Sequence, residues 1–507
     1  MDIEFSSGSV IIRQAASFKA ARQNSFNTKC LHNQIEAERY IMNKKRSLDL
    51  TSGPIFRTLA ALAMPIMASS FLATAYNITD MAWTGMLGSK AVAGIGVGGM
   101  FVWLSQGVVL FPRMGGQVNM AQCCGSGRLQ EARDYAAASL QLTILLGVLY
   151  GGACLLFLHP LLSFFQMNDA ETYEAAQIYT TITCGLIIFS FLTQTLTGLY
   201  TAQGDSRTPF KANLVGLISN MILDPLLILG VGPFPRLEAA GAAIATVSAQ
   251  VIVLTVLLVE ILRAAPEGNL LKTVRIFKRV SGSCYRNISR IGIPSALQSA
   301  AYCIISMILT RMVSAFGPGA IATQRVGGQI ESLSWNTADG FGAALNAFVA
   351  QNFGAKKVQR IREGYRISMR ALVVWGLLIT AAFLLLPRSI SRLFFYEPEV
   401  IETSTNYLTI IGFSEVFMSV ELMTVGALSG LGKTTLCSAI SILFTGARIP
   451  LALLLSLTSL GLSGIWWALT LTSVAKGIIF YFTFQIVSRR VSKNQTANMV
   501  SDRRKTQ

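Results

Sequence analysis

Charge is scarce in this chain. Only 13% of its 507 residues are Asp, Glu, Lys or Arg, while 52% are hydrophobic, and the mean hydropathy is positive. A soluble chain of this length needs about a quarter charged residues to cover its surface, so a soluble globular fold is excluded. Histidine is nearly missing too: His32 lies in the N-terminal stretch and His159 at the outer end of a helix. Two isolated imidazoles build neither a catalytic dyad nor a metal site, and no histidine falls in the middle of an apolar run, which argues against an intramembrane enzyme. The eight cysteines contain no CxxC pair of metal-binding spacing. Cys123, Cys124 and Cys284 are expected in cytoplasmic loops, Cys30 in the tail, and Cys154, Cys184, Cys303 and Cys437 within helices as small packing residues. A reducing cytoplasm disfavours disulfides among them. Strand-like alternation is absent, as is a signal-peptide core in the first 41 residues. That stretch reads as a disordered tail or as translated upstream sequence, because Met42 opens MNKKRSLDLTSGPIF directly before the first apolar run.

What the chain does have is apolar runs of about 20 residues, each enough to cross a bilayer as a helix. Twelve recur, at roughly 57–83, 92–112, 136–158, 176–200, 210–231, 241–262, 291–313, 320–350, 368–386, 403–428, 435–457 and 463–487. Their 3.6-residue periods predict an all-α polytopic membrane protein. The net charge of +17 suggests nucleic acid, but its distribution does not. With the N-terminus placed inside, nineteen Lys and Arg, Arg113 among them, fall in internal loops, and only Lys90, Arg236, Arg388 and Arg392 fall outside. That bias puts both termini in the cytoplasm. The partners it implies are membrane lipids, with no nucleic acid.

The chain also repeats itself. Residues 87–137 and 316–366 align without a gap at an offset of 229, pairing Gly88 with Gly317, Gly98 with Gly327, Gln122 with Gln351 and Gly125 with Gly354. At an offset of 228, GLYTAQG (198–204) meets GALSGLG (426–432). Self-similarity at a fixed spacing marks two copies of one unit. The expected organisation is a cytoplasmic tail (1–50), an N-lobe of six helices (51–262), a cytoplasmic linker (263–290), a C-lobe of six helices (291–487) and a second cytoplasmic tail (488–507). An even number of helices per copy makes the repeat parallel, with a transport path between the lobes.

An ionisable group at a helix centre costs about 2.5–3.5 kcal/mol on insertion scales and is by default a functional hypothesis. Asp80 lies near the outer end of the first helix, with Tyr76 and Asn77 one turn earlier on its face. Asp224 follows Asn220 by four residues, and Thr246 lies one helix on. Carboxylate, amide and hydroxyl oxygens suit a hard monovalent cation such as Na⁺, or a shared proton. The bland alternative is that Asp224 caps a bend at Pro225 while Asp80 faces water. Pro65, Pro225, Pro294 and Pro450 interrupt apolar spans, either for packing or to let helices bend at a cavity. In the second half Glu331, Asp339, Glu415 and Glu421 face the possible partners Arg325, Arg448 and Lys476; a buried pair of Arg448 with Glu415 or Glu421 would be structural. GLGKTTL (430–436) imitates the end of a phosphate loop, but its first glycine position is Ala427 and no strand precedes it.

The segments YNITDMAWTGMLG, GDSRTPFKANLVGLISNMILDPLLI, GAAIATVSAQ and RVGGQIESLSW…GFGAALNAFVAQNFGA resemble the multidrug and toxic compound extrusion (MATE) transporters, over about residues 45–487. The resemblance is to the bacterial DinF-like branch. It implies twelve helices in two six-helix lobes and no enzyme activity. The activity it implies is efflux of organic, often cationic amphipathic small molecules by an antiporter of the plasma (inner) membrane, driven by inward H⁺ or Na⁺ without other cofactors. The coupling aspartate, Asn, Asp and Thr of that branch match Asp80, Asn220, Asp224 and Thr246, and Tyr76 matches a polar position beside the first. Other branches carry a glutamate where Gln298 stands here, which weakens a second-lobe cation site. Glu331 fits the pattern of the eighth helix as a cavity residue or anchor. A monomer is expected. A flippase for a lipid-linked or polysaccharide precursor is the alternative, favoured only by a wide, strongly basic cavity.

Overall fold

The computed structural model describes residues 48–165, 169–231, 235–264 and 269–506; side chains at 76–78, 81–82, 89, 318 and 494–506 are outside that description, as is the 1–41 stretch. Among the described residues the chain is helical throughout. The N-lobe comprises α1 (Ile55–Gly85), α2 (Ser89–Gly125), α3 (Leu129–Leu156), the short α4 (Leu158–Ser163), α5 (Ala170–Gly185), α6 (Ile187–Ala202), α7 (Arg207–Ile228) and α8 (Glu238–Arg263). A 3₁₀ turn, Leu270–Thr273, interrupts the linker. The C-lobe comprises α9 (Gly282–Ser314), α10 (Pro318–Gly354), α11 (Val358–Leu385), the short α12 (Pro387–Arg392), α13 (Pro398–Gly412), α14 (Glu415–Gly430), α15 (Thr434–Gly446), α16 (Arg448–Ser456) and α17 (Leu462–Thr506).

Nine of these segments are long and apolar enough to cross a membrane, and two bent pairs raise the number to eleven. The twelfth is α10, whose 37 residues carry Arg325, Glu331 and Asp339 among glycines and amides. The bent pairs lie where single spans are expected, at 176–200 and 403–428, and each forms one broken span. α5 meets α6 at 46° and α13 meets α14 at 50°, with the breaks at the equivalent positions Leu186 and Phe413–Ser414. Pro65, Pro225 and Pro294 sit inside unbroken helices. Four other residues differ from expectation. Arg113, Cys123 and Cys124 belong to α2 and Cys284 to α9, because both helices run past the apolar stretch into the basic segments.

The repeat has a physical cause at its glycines. Gly88 and Gly317 enter α2 and α10 at φ +95° and +98°, a region that side chains with a Cβ avoid. Gly127 turns between α2 and α3 at φ +74°, and its counterpart is Lys356, which holds the same left-handed turn at φ +59°. Gly98 and Gly327 are matched for another reason: a Cβ there would lie 2.7 Å from the Tyr179 ring and 2.2 Å from the Tyr407 ring. Those tyrosines are themselves 228 residues apart.

The lobes meet at the end of the molecule that carries the linker. Here a Cβ on Gly125 would fall 1.8 Å from the Gln351 carbonyl oxygen, and one on Gly354 1.9 Å from that of Gln122. Gln122 Nε2 donates to Gly430 O across the seam (2.9 Å), and Gln351 Nε2 donates to Ala202 O (2.7 Å). Each bond is the pseudo-symmetric image of the other. The chain before α1 is held to the C-lobe by Asn352, Lys357 and Arg360, which donate to carbonyls of residues 50–53. Farther from the linker, α1 touches α10 at Met67–Gly340 and Thr74–Asn336. α2 touches α9 at Gly107–Ser299. Beyond that height Trp103, Tyr302 and Trp335 are about half exposed, at 46%, 50% and 42%.

Candidate functional site

Three helices of the N-lobe, α1, α7 and α8, carry the expected ion-coupling residues on the half of the lobe away from the linker. Asp224 is completely buried on α7. One of its oxygens, Oδ1, accepts from Asn220 Nδ2 at 3.0 Å across one helical turn. The other, Oδ2, is buried with no partner. Asp80 on α1 is half-buried, and its charge acts on Asp224 and on the Tyr179 hydroxyl. Thr246 on α8 donates to Ala242 O (2.9 Å) and lies within hydrogen-bonding reach of Tyr179. The buried Oδ2 of Asp224 is thus left without a partner in the half of the lobe that also holds Asp80, Tyr179 and Thr246.

The surroundings are apolar. Trp83, Ile95, Ala175, Tyr179, Ile228 and Ala239 pack around the group, and Thr180 Oγ1 beside Tyr179 is another buried oxygen without a partner. Unpaired buried oxygens are costly in such a medium. A proton or a small cation that takes up the Asp224 oxygen relieves that cost. The donor set of two carboxylates, one amide, one hydroxyl and one phenol fits either. Tyr76 and Asn77 lie on the helical backbone of α1, with side chains outside the described residues. Tyr179 was absent from the residues picked out of the sequence. The signal that could have found it is the repeat, which pairs it with Tyr407 as it pairs Gly98 with Gly327.

Gln298 and Glu331 lie in the C-lobe, apart from this group. Gln298 Oε1 accepts from Ser438 Oγ at 3.2 Å and ties α9 to α15. Glu331 Oε2 accepts from Tyr407 OH at 3.4 Å. Glu415 on α14 is fully buried with both oxygens unpartnered, and the Glu331 charge acts on it. Tyr407 thus stands among acids as Tyr179 does, on different helices. Among the described residues Arg448 makes no ion pair with Glu415 or Glu421, although its charge acts on Glu331. Arg448 donates to Thr472 (3.0 Å) and Ser473 (2.9 Å), while Lys476 Nζ takes Glu421 Oε1 at 2.8 Å. Among the described residues no cluster of three or more His, Cys, Asp or Glu could hold a metal ion.

The MatE family model matches twice, at residues 65–226 and 294–454, two segments that start 229 residues apart. The chain is 28% identical over 430 residues to a probable multidrug resistance protein NorM of Thermotoga maritima, covering 81% of this chain and 88% of that one. It is 25% identical to an FAD transporter of Shewanella oneidensis, over 87% and 97% of the two chains. Among solved structures, an outward-facing multidrug resistance MATE family transporter of the MOP superfamily superposes with a TM-score of 0.81 at 20% identity, over 89% of this chain and 99% of that chain. That fold has twelve helices in two lobes, as found here. With the family model covering both halves of the repeat, the chain belongs to the MatE family of membrane transporters.

Proposed function

We propose that the chain is a multidrug efflux antiporter of the plasma (inner) membrane, with both termini in the cytoplasm. It exports organic, cationic amphipathic compounds in exchange for H⁺ or Na⁺ by alternating access. The observation that carries this reading is the buried Asp224 oxygen left without a partner, beside a second carboxylate whose charge acts on it. In the arrangement with the linker end sealed, the cleft opens outward and the coupling ion reaches Asp80 and Asp224 from outside. Ion binding favours one packing of α1 against α7, α8 and α10 over another, and that differential affinity moves the lobes. The relatives point the same way: several are probable multidrug resistance proteins.

The flippase reading would need a cleft of one strong sign. The N-lobe does embed one cation, Arg113, but it faces an acid of the other lobe (Asp339). A polyanionic precursor finds no basic wall there. The test is efflux of a fluorescent organic cation from cells expressing Asp80→Asn or Asp224→Asn. Each change is expected to cut efflux at least tenfold, about 1.4 kcal/mol or more of lost coupling, with the protein still in the membrane. Efflux at the parental rate in either variant would remove the site from the reaction.

A further inference from the structure

Arg113 breaks the repeat. Its counterpart 229 residues on is Gly342, and the facing positions Gly198 and Gly426 are glycine in both lobes. In the C-lobe the two glycines let α10 and α14 touch backbone to backbone: a Cβ on Gly426 would lie 2.2 Å from Gly342 O. In the N-lobe that space holds the Arg113 stem, 3.1 Å from a Cβ placed on Gly198. The scaffold is doubled and the cation is not.

The guanidinium is embedded. Arg113 lies twelve residues before the end of α2, about 18 Å along the helix. It makes no hydrogen bond and no ion pair among the described residues, and no atom of it is both sealed from solvent and unpartnered. It is half-buried, and its unpartnered donor nitrogens keep some exposure. The charge that acts on it is Asp339 of the opposite lobe, and Arg113 acts on Asp339 in return. Asp339 is likewise half-buried and makes no hydrogen bond or ion pair among the described residues. The geometry explains the separation. Asn346 donates to the sulfur of Met114, the neighbour of Arg113, at 3.8 Å. Asp339 sits two turns farther from the linker on the same face of α10, about 10 Å along the axis. Trp335 follows one turn above Asp339 on that face, and Trp103 stands over Met114 on α2; both are nearly half exposed.

An arginine in a bilayer is expensive and normally pairs. Here the two charged groups stand on touching helices of opposite lobes with no hydrogen bond or ion pair between them, above the seam that Gln122 and Gln351 close. We infer that Arg113 and Asp339 form a split ionic subsite on the floor of the cleft, which takes a zwitterionic amphiphile. The ligand's carboxylate or phosphate engages the guanidinium fork, its cationic group faces Asp339, and its apolar body lies against Trp103 and Trp335. This names a substrate class for the proposed efflux activity and rests on that reading.

The experiment uses the full-length protein in proteoliposomes and a matched pair of probes: a rhodamine with a free carboxylate, and its ethyl ester, which is a simple cation. The unaltered protein is expected to transport both. Arg113→Gln should raise the KM for the carboxylate form on the order of tenfold or more, the effect of losing a charge-assisted hydrogen bond, and leave the ester within about twofold. Arg113→Lys, which keeps the charge, should recover part of the loss. Phosphate- and carboxylate-bearing probes compared in the same variants tell which anionic group the fork prefers. An unaltered protein that transports the ester alone, or an Arg113→Gln variant that loses both probes equally or neither, would overturn the subsite. An unaltered protein that moves neither probe counts against the efflux reading itself.

Discussion

The seam between the lobes gives a prediction that can be worked from two hydrogen bonds. Gln122 donates to Gly430 O and Gln351 to Ala202 O, at 2.9 and 2.7 Å, and both amides span the lobe boundary. Leucine at both positions keeps most of the volume and removes both donors. A hydrogen bond of this kind is worth about 0.5–1.5 kcal/mol net, so the pair contributes roughly 1–3 kcal/mol to the state in which the linker end is closed. At about 1.4 kcal/mol per factor of ten, the double variant moves the closed-to-open ratio by roughly 5- to 150-fold. Glycines at 125 and 354 bring the backbones too close for the change to be absorbed by tightening elsewhere. Spin labels at Ser126 and Ala355, with the native cysteines replaced, flank the seam and report it by pulsed electron–electron resonance. The parental protein should give a dominant short distance, and Gln122→Leu/Gln351→Leu a second, longer population. An unchanged distance distribution in the double variant would refute the idea that these amides hold the lobes together.

Three further outcomes are expected. Lys356 occupies the left-handed turn that Gly127 holds in the other copy, so Lys356→Gly should stabilise the protein by up to about 1 kcal/mol, read as a higher melting temperature in detergent. Lys476 is 5% exposed and bonded to Glu421; Lys476→Met strands a buried carboxylate and should cost about 3–5 kcal/mol, while Lys476→Met/Glu421→Leu should regain most of it. Equal melting of the single and double variants would contradict that pairing. Gly327→Ala drives a methyl into the Tyr407 ring and should destabilise the C-lobe by about 1–3 kcal/mol, visible as earlier thermal aggregation.

Much of the fold was legible because hydropathy and repetition are properties of the chain itself. The matched glycines marked the two copies of the repeat, and the Lys/Arg-rich stretch at 263–290 marked the linker. Bends were not legible. The breaks at Leu186 and Phe413–Ser414 fall in apolar runs without proline, and only packing against neighbouring helices reveals them. Arg113 was misplaced for a related reason: a positive charge at the edge of an apolar run reads as a loop, yet α2 continues for three more turns into the seam. The candidate site divides in the same way. Asp80, Asn220, Asp224 and Thr246 stand out because acids and amides are rare in this chain, and they do converge. Tyr179 does not stand out, since a tyrosine in an apolar helix is unremarkable until its counterpart Tyr407 is seen among Glu331 and Glu415. The Lys476–Glu421 pair could not be told from Arg448 pairings, because which of several buried groups meet depends on helix rotation.

The most direct test of ion coupling is transport of a fluorescent organic cation into proteoliposomes under separately imposed pH and Na⁺ gradients. The expected result is counter-transport driven by at least one of the two gradients in the unaltered protein, and lost in both Asp80→Asn and Asp224→Asn. Transport that ignores both gradients, or that survives in the two variants at the parental rate, would contradict coupling through the buried Asp224 oxygen.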